Sequence, residues 1–110
     1  MKTLEYLGRE AHEINKNNGW EVFHLDDWAE ADKLNIPKLC THMALIHSEV
    51  AEATEAIRHR DPDNFKEELA DTVIRVASIA YGLGIDLETA IMEKLNINRK
   101  RGLHHGGKAV

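Results

Sequence analysis

Two pairs of carboxylates, each with its members three residues apart, are the residues of this chain best suited to do chemistry. Glu49 and Glu52 form the first pair, and Glu68 and Asp71 form the second. A spacing of three residues places both members of a pair on one face of a helix. The segment between the pairs, residues 58–64, is polar and contains a proline, which predicts a turn between two helices.

The positions of the pairs relative to this turn predict that all four carboxylates meet. In a helical hairpin, residues equally far from the turn lie at the same height. Glu49 and Asp71 are equally far from residue 60, and so are Glu52 and Glu68. The four side chains are therefore expected to converge on one patch between two antiparallel helices.

Converging carboxylates need a counter-charge, since like charges at helical spacing repel by roughly 0.2–0.5 kcal/mol per exposed pair. A hard divalent cation removes this repulsion, and an all-oxygen site suits Mg²⁺, with Mn²⁺ as a substitute. His42 and His47 lie nearby but are left out of the predicted site, because Mg²⁺ prefers oxygen to imidazole. The alternative is a solvated acidic surface, and the mirrored second pair favours the metal site over it.

Length and composition are those of one small globular domain. The chain has 110 residues, of which 43% are hydrophobic and 30% are charged. A net charge of −5 argues against a nucleic-acid binder, which normally carries a basic surface. Cys40 is the single cysteine, so no intrachain disulfide is possible and a cytoplasmic location is the default. No apolar run approaches the roughly 20 residues of a membrane-spanning helix, and no signal peptide is evident.

Apolar residues at steps of three and four predict four helices and an all-α fold. The predicted helices cover residues 3–17, 37–59, 62–81 and 86–99, the last capped by Asp86. We predict an antiparallel helical hairpin or four-helix bundle whose core is completed by oligomerisation, because a chain of this size has a small core. Residues 1–110 are interpreted as one domain, with about 102–110 as a flexible tail.

The second and third helices carry apolar stripes that predict their core-facing sides. These stripes are Leu39, Met43, Ile46, Val50, Ala53 and Ile57 in the second helix, and Phe65, Leu69, Val73, Val76 and Ala80 in the third. Leu83 is expected beyond the third helix, in a break that it forms with Gly82 and Gly84.

Two further stretches are candidates for binding a ligand. Residues 20–28 concentrate aromatic side chains, among them Trp20 and Trp28, and predict either a loop that plugs the bundle or a wall for a planar ligand. Lys94, Asn98 and Arg101 fall on one face of the last helix, where they can bind phosphate oxygens or form a solvated basic end. Lys108, in the tail, adds another donor.

The spacing Glu49-x-x-Glu52 followed by Glu68-x-x-Asp71 resembles the all-α nucleoside triphosphate pyrophosphohydrolase superfamily, and its MazG-like group in particular. The residues around it also fit, as do the turn at 84–90 and the ending His-Gly-Gly-Lys at 105–108. Lys94, Asn98 and Arg101 fall where that family has a lysine, an asparagine and an arginine. The resemblance covers the chain from about residue 40 onward. Gly102 departs from the family, which often has proline there.

The resemblance implies hydrolysis of a nucleoside triphosphate to a monophosphate and pyrophosphate. It implies that the four carboxylates hold Mg²⁺, that Glu49 or Glu52 activates water, and that the basic face of the last helix holds phosphates. The aromatic segment would contact the base. It also implies a homodimer or homotetramer with active sites at subunit contacts.

Two alternatives stay open. One is a non-catalytic, oligomeric helical module that binds a protein partner and keeps a relic acidic patch. The other keeps the fold and changes the substrate, since related all-α enzymes act on deoxyuridine nucleotides or on phosphoribosyl-ATP. Neither a nucleic-acid polymer nor a membrane is expected as a partner.

Overall fold

The computed structural model describes residues 3–28 and 30–101. Within these ranges the chain forms four α-helices and two 3₁₀ turns, and no β-strand, which confirms the predicted all-α fold. The helices are α1 (Thr3–Asn17), α2 (Ile36–Arg58), α3 (Pro62–Leu83) and α4 (Leu87–Arg101), and the 3₁₀ turns are Leu25–Asp27 and Ala31–Lys33. Lys108 and the rest of the predicted tail lie outside the described residues. None of the helices just named is long and apolar enough to cross a membrane.

The turn between α2 and α3 forms where the sequence stops one helix and starts the next. Arg60 takes a positive φ of 57°, in the left-handed region that reverses the chain after a helix. Asp61 then caps α3, because its carboxylate accepts a hydrogen bond of 3.1 Å from the backbone N–H of Asn64. Pro62 occupies the first turn, where no backbone N–H is needed. These local signals produce the antiparallel hairpin on which the site depends.

The end of α3 differs from the prediction. Leu83 is the last residue of the helix and is buried, so its placement in a break beyond the helix was wrong. Gly82 stays helical, and its lack of a side chain makes room for Phe23, whose carbonyl oxygen would lie 2.7 Å from an added Cβ. Only Gly84, with a φ of 72°, takes the left-handed conformation that ends the helix. The sequence alone did not show which glycine allows close packing, as Gly82 does, and which ends the helix, as Gly84 does.

The helices approach one another closely through small side chains. Gly8 of α1 lies against the backbone carbonyl of Ala77 on α3, where an added Cβ would clash. The buried apolar side chains of α2 are Ala53 and Ala56, and Ala80 is buried on α3. Small residues are therefore buried on three of the helices, and Gly8 allows the close approach of α1 to α3.

Five of the eleven residues in the predicted core stripes of α2 and α3 are exposed within a single chain, so the chain alone does not cover these stripes. Val50 and Val73 are 50% and 49% exposed, and Met43, Ile57 and Leu69 are also exposed. The radius of gyration is 16.2 Å, whereas roughly 13 Å is expected for a compact chain of this length. An open shape with exposed apolar stripes fits the prediction that oligomerisation completes the core. That assembly stays a prediction.

Candidate metal and nucleotide site

The hairpin brings three of the predicted carboxylates to one point. Glu49 of α2 and Glu68 and Asp71 of α3 each offer an oxygen, and these oxygens lie within 4.8 Å of one another. Glu52, one turn along α2, shares a hydrogen bond with Glu68. The four carboxylates are therefore neighbours, as the equal distances from the turn predict. We call Glu49, Glu52, Glu68 and Asp71 the carboxylate cluster.

Glu68 is the most constrained member of the carboxylate cluster. It is buried, and one of its carboxylate oxygens, Oε2, has no hydrogen-bond partner within the described part of the chain. Hydrogen bonds with Glu52 and then Glu49, burial, and the negative charge of both neighbours raise the pKa of Glu68 to about 7. A hydrogen bond between two carboxyl groups requires a shared proton, so this crowding of carboxylates favours the protonated form of Glu68.

The donor set of the carboxylate cluster fits a hard divalent cation. Every ligand atom it offers is a carboxylate oxygen, the type that Mg²⁺ and Mn²⁺ prefer. The unpartnered Oε2 of Glu68 and the raised pKa of this residue both show a negative site with too little positive charge around it. A cation here would replace the shared proton and satisfy the free oxygen.

Arg75 is a site residue that the sequence reasoning missed. Its Nε–H donates a hydrogen bond of 3.0 Å to Oε1 of Glu49. Arg75 lies four residues after Asp71, so both are on one face of α3. This spacing is visible in the sequence, but the acidic pairs by themselves do not indicate that an arginine bonds one of them.

A cavity of about 670 Å³ opens beside the carboxylate cluster. Glu49, Asp71, Arg75 and Trp20 are among the residues that line it. Its other lining residues include Asn15, His42, Leu45 and Ser78. Its volume is in the range of small-molecule sites, which is roughly 300–1,000 Å³.

The family model of the MazG nucleotide pyrophosphohydrolase domain matches residues 38–103 of this sequence. This span is more than half of the chain, and it contains the carboxylate cluster, Arg75 and the basic residues of α4. The chain belongs to the MazG nucleotide pyrophosphohydrolase family. No significant match to a curated protein or to a solved structure was found.

The aromatic segment of the MazG chain, residues 20–28, lies partly in the core and partly at the cavity. Phe23 is buried, 3% exposed; its backbone lies against Gly82 of α3 and its ring contacts His42 of α2. Trp20 is 64% exposed and lines the cavity, whereas Trp28 does not line it. Because the segment ends before residue 38, it lies outside the matched domain.

Lys38 fastens this segment to α2. Its ammonium donates hydrogen bonds of 2.7 Å to the carbonyl of Val22 and 2.9 Å to the carboxylate of Asp27. The hydrogen bond from Lys38, with further hydrogen bonds from His24 and Asn35, lowers the pKa of Asp27 to about 2. His12 adds a contact of 3.1 Å between Nε2 and the carbonyl of Phe23. These long-range contacts position Trp20 at the cavity.

Replacing Lys38 with methionine should lower the free energy of unfolding by about 2 kcal/mol, because charged hydrogen bonds to Asp27 and Val22 are lost. In the parent protein, this contribution is present above pH 3.8 and is lost as the pH falls toward 2, since the pKa of Asp27 is lowered on folding. Urea unfolding between pH 2 and 7 measures both effects. The control is Lys33→Met, which removes an exposed lysine that pairs with Glu30. Equal losses in both variants would contradict the fastening role.

The basic residues of α4 do not join the carboxylate cluster of their own chain. Lys94, Asn98 and Arg101 line neither the cavity beside Trp20 nor a second cavity of about 760 Å³ at the junction of α1, α3 and α4. Asn98 has a buried Oδ1 without a hydrogen-bond partner in the region described. Glu55 also lies apart from the cluster and pairs with Arg58 and His59 near the turn.

The pKa of Glu68 predicts how the ion-free MazG domain responds to pH. Because this pKa rises from 4.5 to about 7 on folding, the folded state holds a proton that the unfolded state has released between these values. The free energy of unfolding should therefore fall as the pH rises from 4.5 to 7. Thermal unfolding in EDTA measures this slope, and Glu68→Gln should flatten it. A variant that keeps the parent slope would show that another group is responsible.

Proposed function

We propose that this MazG domain hydrolyses nucleoside triphosphates between the α and β phosphates, releasing a nucleoside monophosphate and pyrophosphate in the presence of Mg²⁺ or Mn²⁺. The observation that carries the proposal is the carboxylate cluster at the edge of a cavity of about 670 Å³. The cluster attracts a divalent cation and the cavity accommodates a nucleoside. Their adjacency supports the binding of one nucleotide with its phosphates beside the cluster.

Glu49, Glu52, Glu68 and Asp71 would hold the divalent cation. When bound, the cation offsets phosphate charge and makes water more acidic. Glu49 or Glu52 would orient the attacking water and accept its proton, since both lie beside Glu68 at the proposed cation site. The reaction depends on positioning and charge neutralisation more than on covalent chemistry, which suits a site built of carboxylates on two rigid helices.

Trp20 is the proposed contact for the base. Its indole is largely exposed in the free chain and faces the cavity, so it can stack on a planar ring. His42 lines the same cavity and bonds Glu21 at 2.8 Å, which adds polar groups that can discriminate between bases. Trp28, which does not line the cavity, has no role in this proposal.

A homodimer or homotetramer would complete the site. The exposed stripes that include Val50 and Val73 supply an apolar surface for a second copy of the chain. Lys94, Asn98 and Arg101, which do not line the cavity of their own chain, would then bind phosphates at the site of a neighbouring copy. Lys108 would act with them.

The test is pyrophosphate release from a panel of ribo- and deoxynucleoside triphosphates, with Mg²⁺ and again with EDTA. Metal-dependent pyrophosphate together with a monophosphate product would support the proposal, and the order of rates would give the base and sugar preference. Including dUDP and phosphoribosyl-ATP tests the alternative substrates of related enzymes. Release of orthophosphate with a diphosphate product would show that cleavage occurs between the β and γ phosphates instead.

No turnover on any nucleotide would favour the non-catalytic, partner-binding module. The exposed apolar stripes of α2 and α3 are the observation that keeps this alternative in view, since they suit a foreign partner as well as a second copy.

A further inference from the structure

The guanidinium of Arg75 pairs with the carboxylate cluster. Among the described residues, Arg75 is the only cation in an ion pair with a member of the cluster, and its partner is Glu49 at 3.0 Å. The side chain of Glu49 is 13% exposed and that of Arg75 is 38% exposed. The pair is therefore anchored at the carboxylate and open to solvent at the guanidinium. Only Nε of Arg75 is engaged, and its remaining N–H groups have no partner in the described part of the chain.

Arg75 also shares a cavity with members of the carboxylate cluster and with Trp20. Asp71 and Arg75 are one turn apart on α3, a rise of about 6 Å along the helix. Both line the cavity that Trp20 also lines. A nucleotide with its base at Trp20 and its outer phosphates at the cluster would have its first phosphate in this same cavity. Among the described lining residues, Arg75 is the only arginine or lysine available to bind it.

A divalent cation and the Arg75 guanidinium compete for Glu49. Both are positive, so they repel each other at short range, and both need the carboxylate oxygens that Glu49 offers. A cation that binds at the cluster would therefore weaken the bond from Arg75. The freed guanidinium has the planar, forked donors that match a phosphate group.

We propose that Arg75 is an exchangeable counter-ion, which pairs with Glu49 in the ion-free protein and transfers to the nucleoside-proximal phosphate when cation and nucleotide bind. The first half of the proposal, the pairing with Glu49, is based on the observed ion pair. The half that concerns phosphate rests on the proposed function. Arg75 is thus assigned two partners, and its loss should have opposite effects on the binding of a cation and of a nucleotide.

The first half is tested by calorimetric titration of Mn²⁺ into the ion-free protein without nucleotide. Arg75→Gln should bind Mn²⁺ about three- to fivefold more tightly than the parent, which corresponds to the loss of one partly exposed ion pair. The matched control is Arg58→Gln, which removes an arginine that pairs with Glu55 outside the cluster. The control should bind Mn²⁺ like the parent. An unchanged or weaker Mn²⁺ affinity in Arg75→Gln would overturn the proposal.

The second half is tested by titrating dAMP and dTMP, a purine and a pyrimidine product, at saturating Mn²⁺. Arg75→Gln should bind them about tenfold more weakly, because a charged hydrogen bond to phosphate is lost. Arg75→Lys, which keeps the charge, should restore part of this binding and also serves if Arg75→Gln does not fold. A merely structural role would weaken cation and nucleotide together, and that result would overturn the proposal.

Failure of the proposed function can be distinguished from failure of the counter-ion proposal. If the parent shows no turnover but Arg75→Gln still binds Mn²⁺ more tightly, the proposed function fails and the competition at Glu49 stands. If the parent turns over nucleotides and Arg75→Gln keeps its affinity for Mn²⁺ and for both monophosphates, the counter-ion proposal fails alone.

Discussion

Replacing Asp71 with asparagine should reduce pyrophosphate release by about 10³-fold or more, because loss of a ligand to the cation removes several kcal/mol of transition-state stabilisation. Asparagine keeps the size of the side chain and removes its charge. Asp71 is exposed on α3, so the helix itself should form normally. Initial rates of pyrophosphate release with Mg²⁺ measure the loss, and circular dichroism measures retained helicity. Glu52→Gln is expected to behave in the same way.

The control for this experiment is Glu55→Gln. Glu55 is also an exposed glutamate of α2, but it pairs with Arg58 rather than with the carboxylate cluster. Its substitution should leave the rate within about twofold of the parent, as expected for a surface change of no more than 0.5 kcal/mol. Near-normal activity in Asp71→Asn or Glu52→Gln would show that the site assignment is wrong.

Replacing Val73 with glutamate should convert the protein to monomers and abolish activity. Val73 is half-exposed on α3, within a stripe that the single chain leaves uncovered. A glutamate buried in a subunit interface without a partner costs several kcal/mol, enough to dissociate a small homo-oligomer. Residues two apart do not share a helix face, so the change does not touch Asp71 directly. Sedimentation should show a mass near the 12.5 kDa of one chain.

Asn18→Glu, which adds the same charge at an exposed site just after α1, is the control for Val73→Glu. It should retain both the assembly and the rate of the parent. A Val73→Glu variant that remains oligomeric would place the interface elsewhere. A monomeric variant with full activity would instead show that the site is complete within one chain, and that Lys94 and Arg101 do not act across a subunit contact.

Patterns within single helices were sufficient to predict much of this molecule. The predicted range of α1 matches the structure, because its stop signal is local: Gly19 takes a positive φ of 75° just beyond the helix. The hairpin turn and the Asp86 cap of α4, which bonds the N–H of Thr89 at 3.1 Å, are local in the same sense. The meeting of the carboxylates followed from helical spacing and antiparallel geometry, before any packing was known.

The burial of side chains and the pairing of residues distant in sequence could not be predicted from patterns within single helices. An apolar stripe shows which face of a helix avoids water, but it does not show whether the same chain or another copy covers that face, and Val50 and Val73 are left open. Leu83 was misplaced because glycine serves both to end a helix and to allow close packing.

By itself, the sequence determined an all-α hairpin with four carboxylates on facing helices and a place in the MazG family, since helix periodicity, caps and turn residues act over a few positions. Only the tertiary structure decided that Glu68 is buried with a raised pKa, that Arg75 pairs with Glu49, and that Lys38 holds the aromatic segment at the cavity. Each of these depends on side chains that are distant in sequence and become neighbours only when the helices pack.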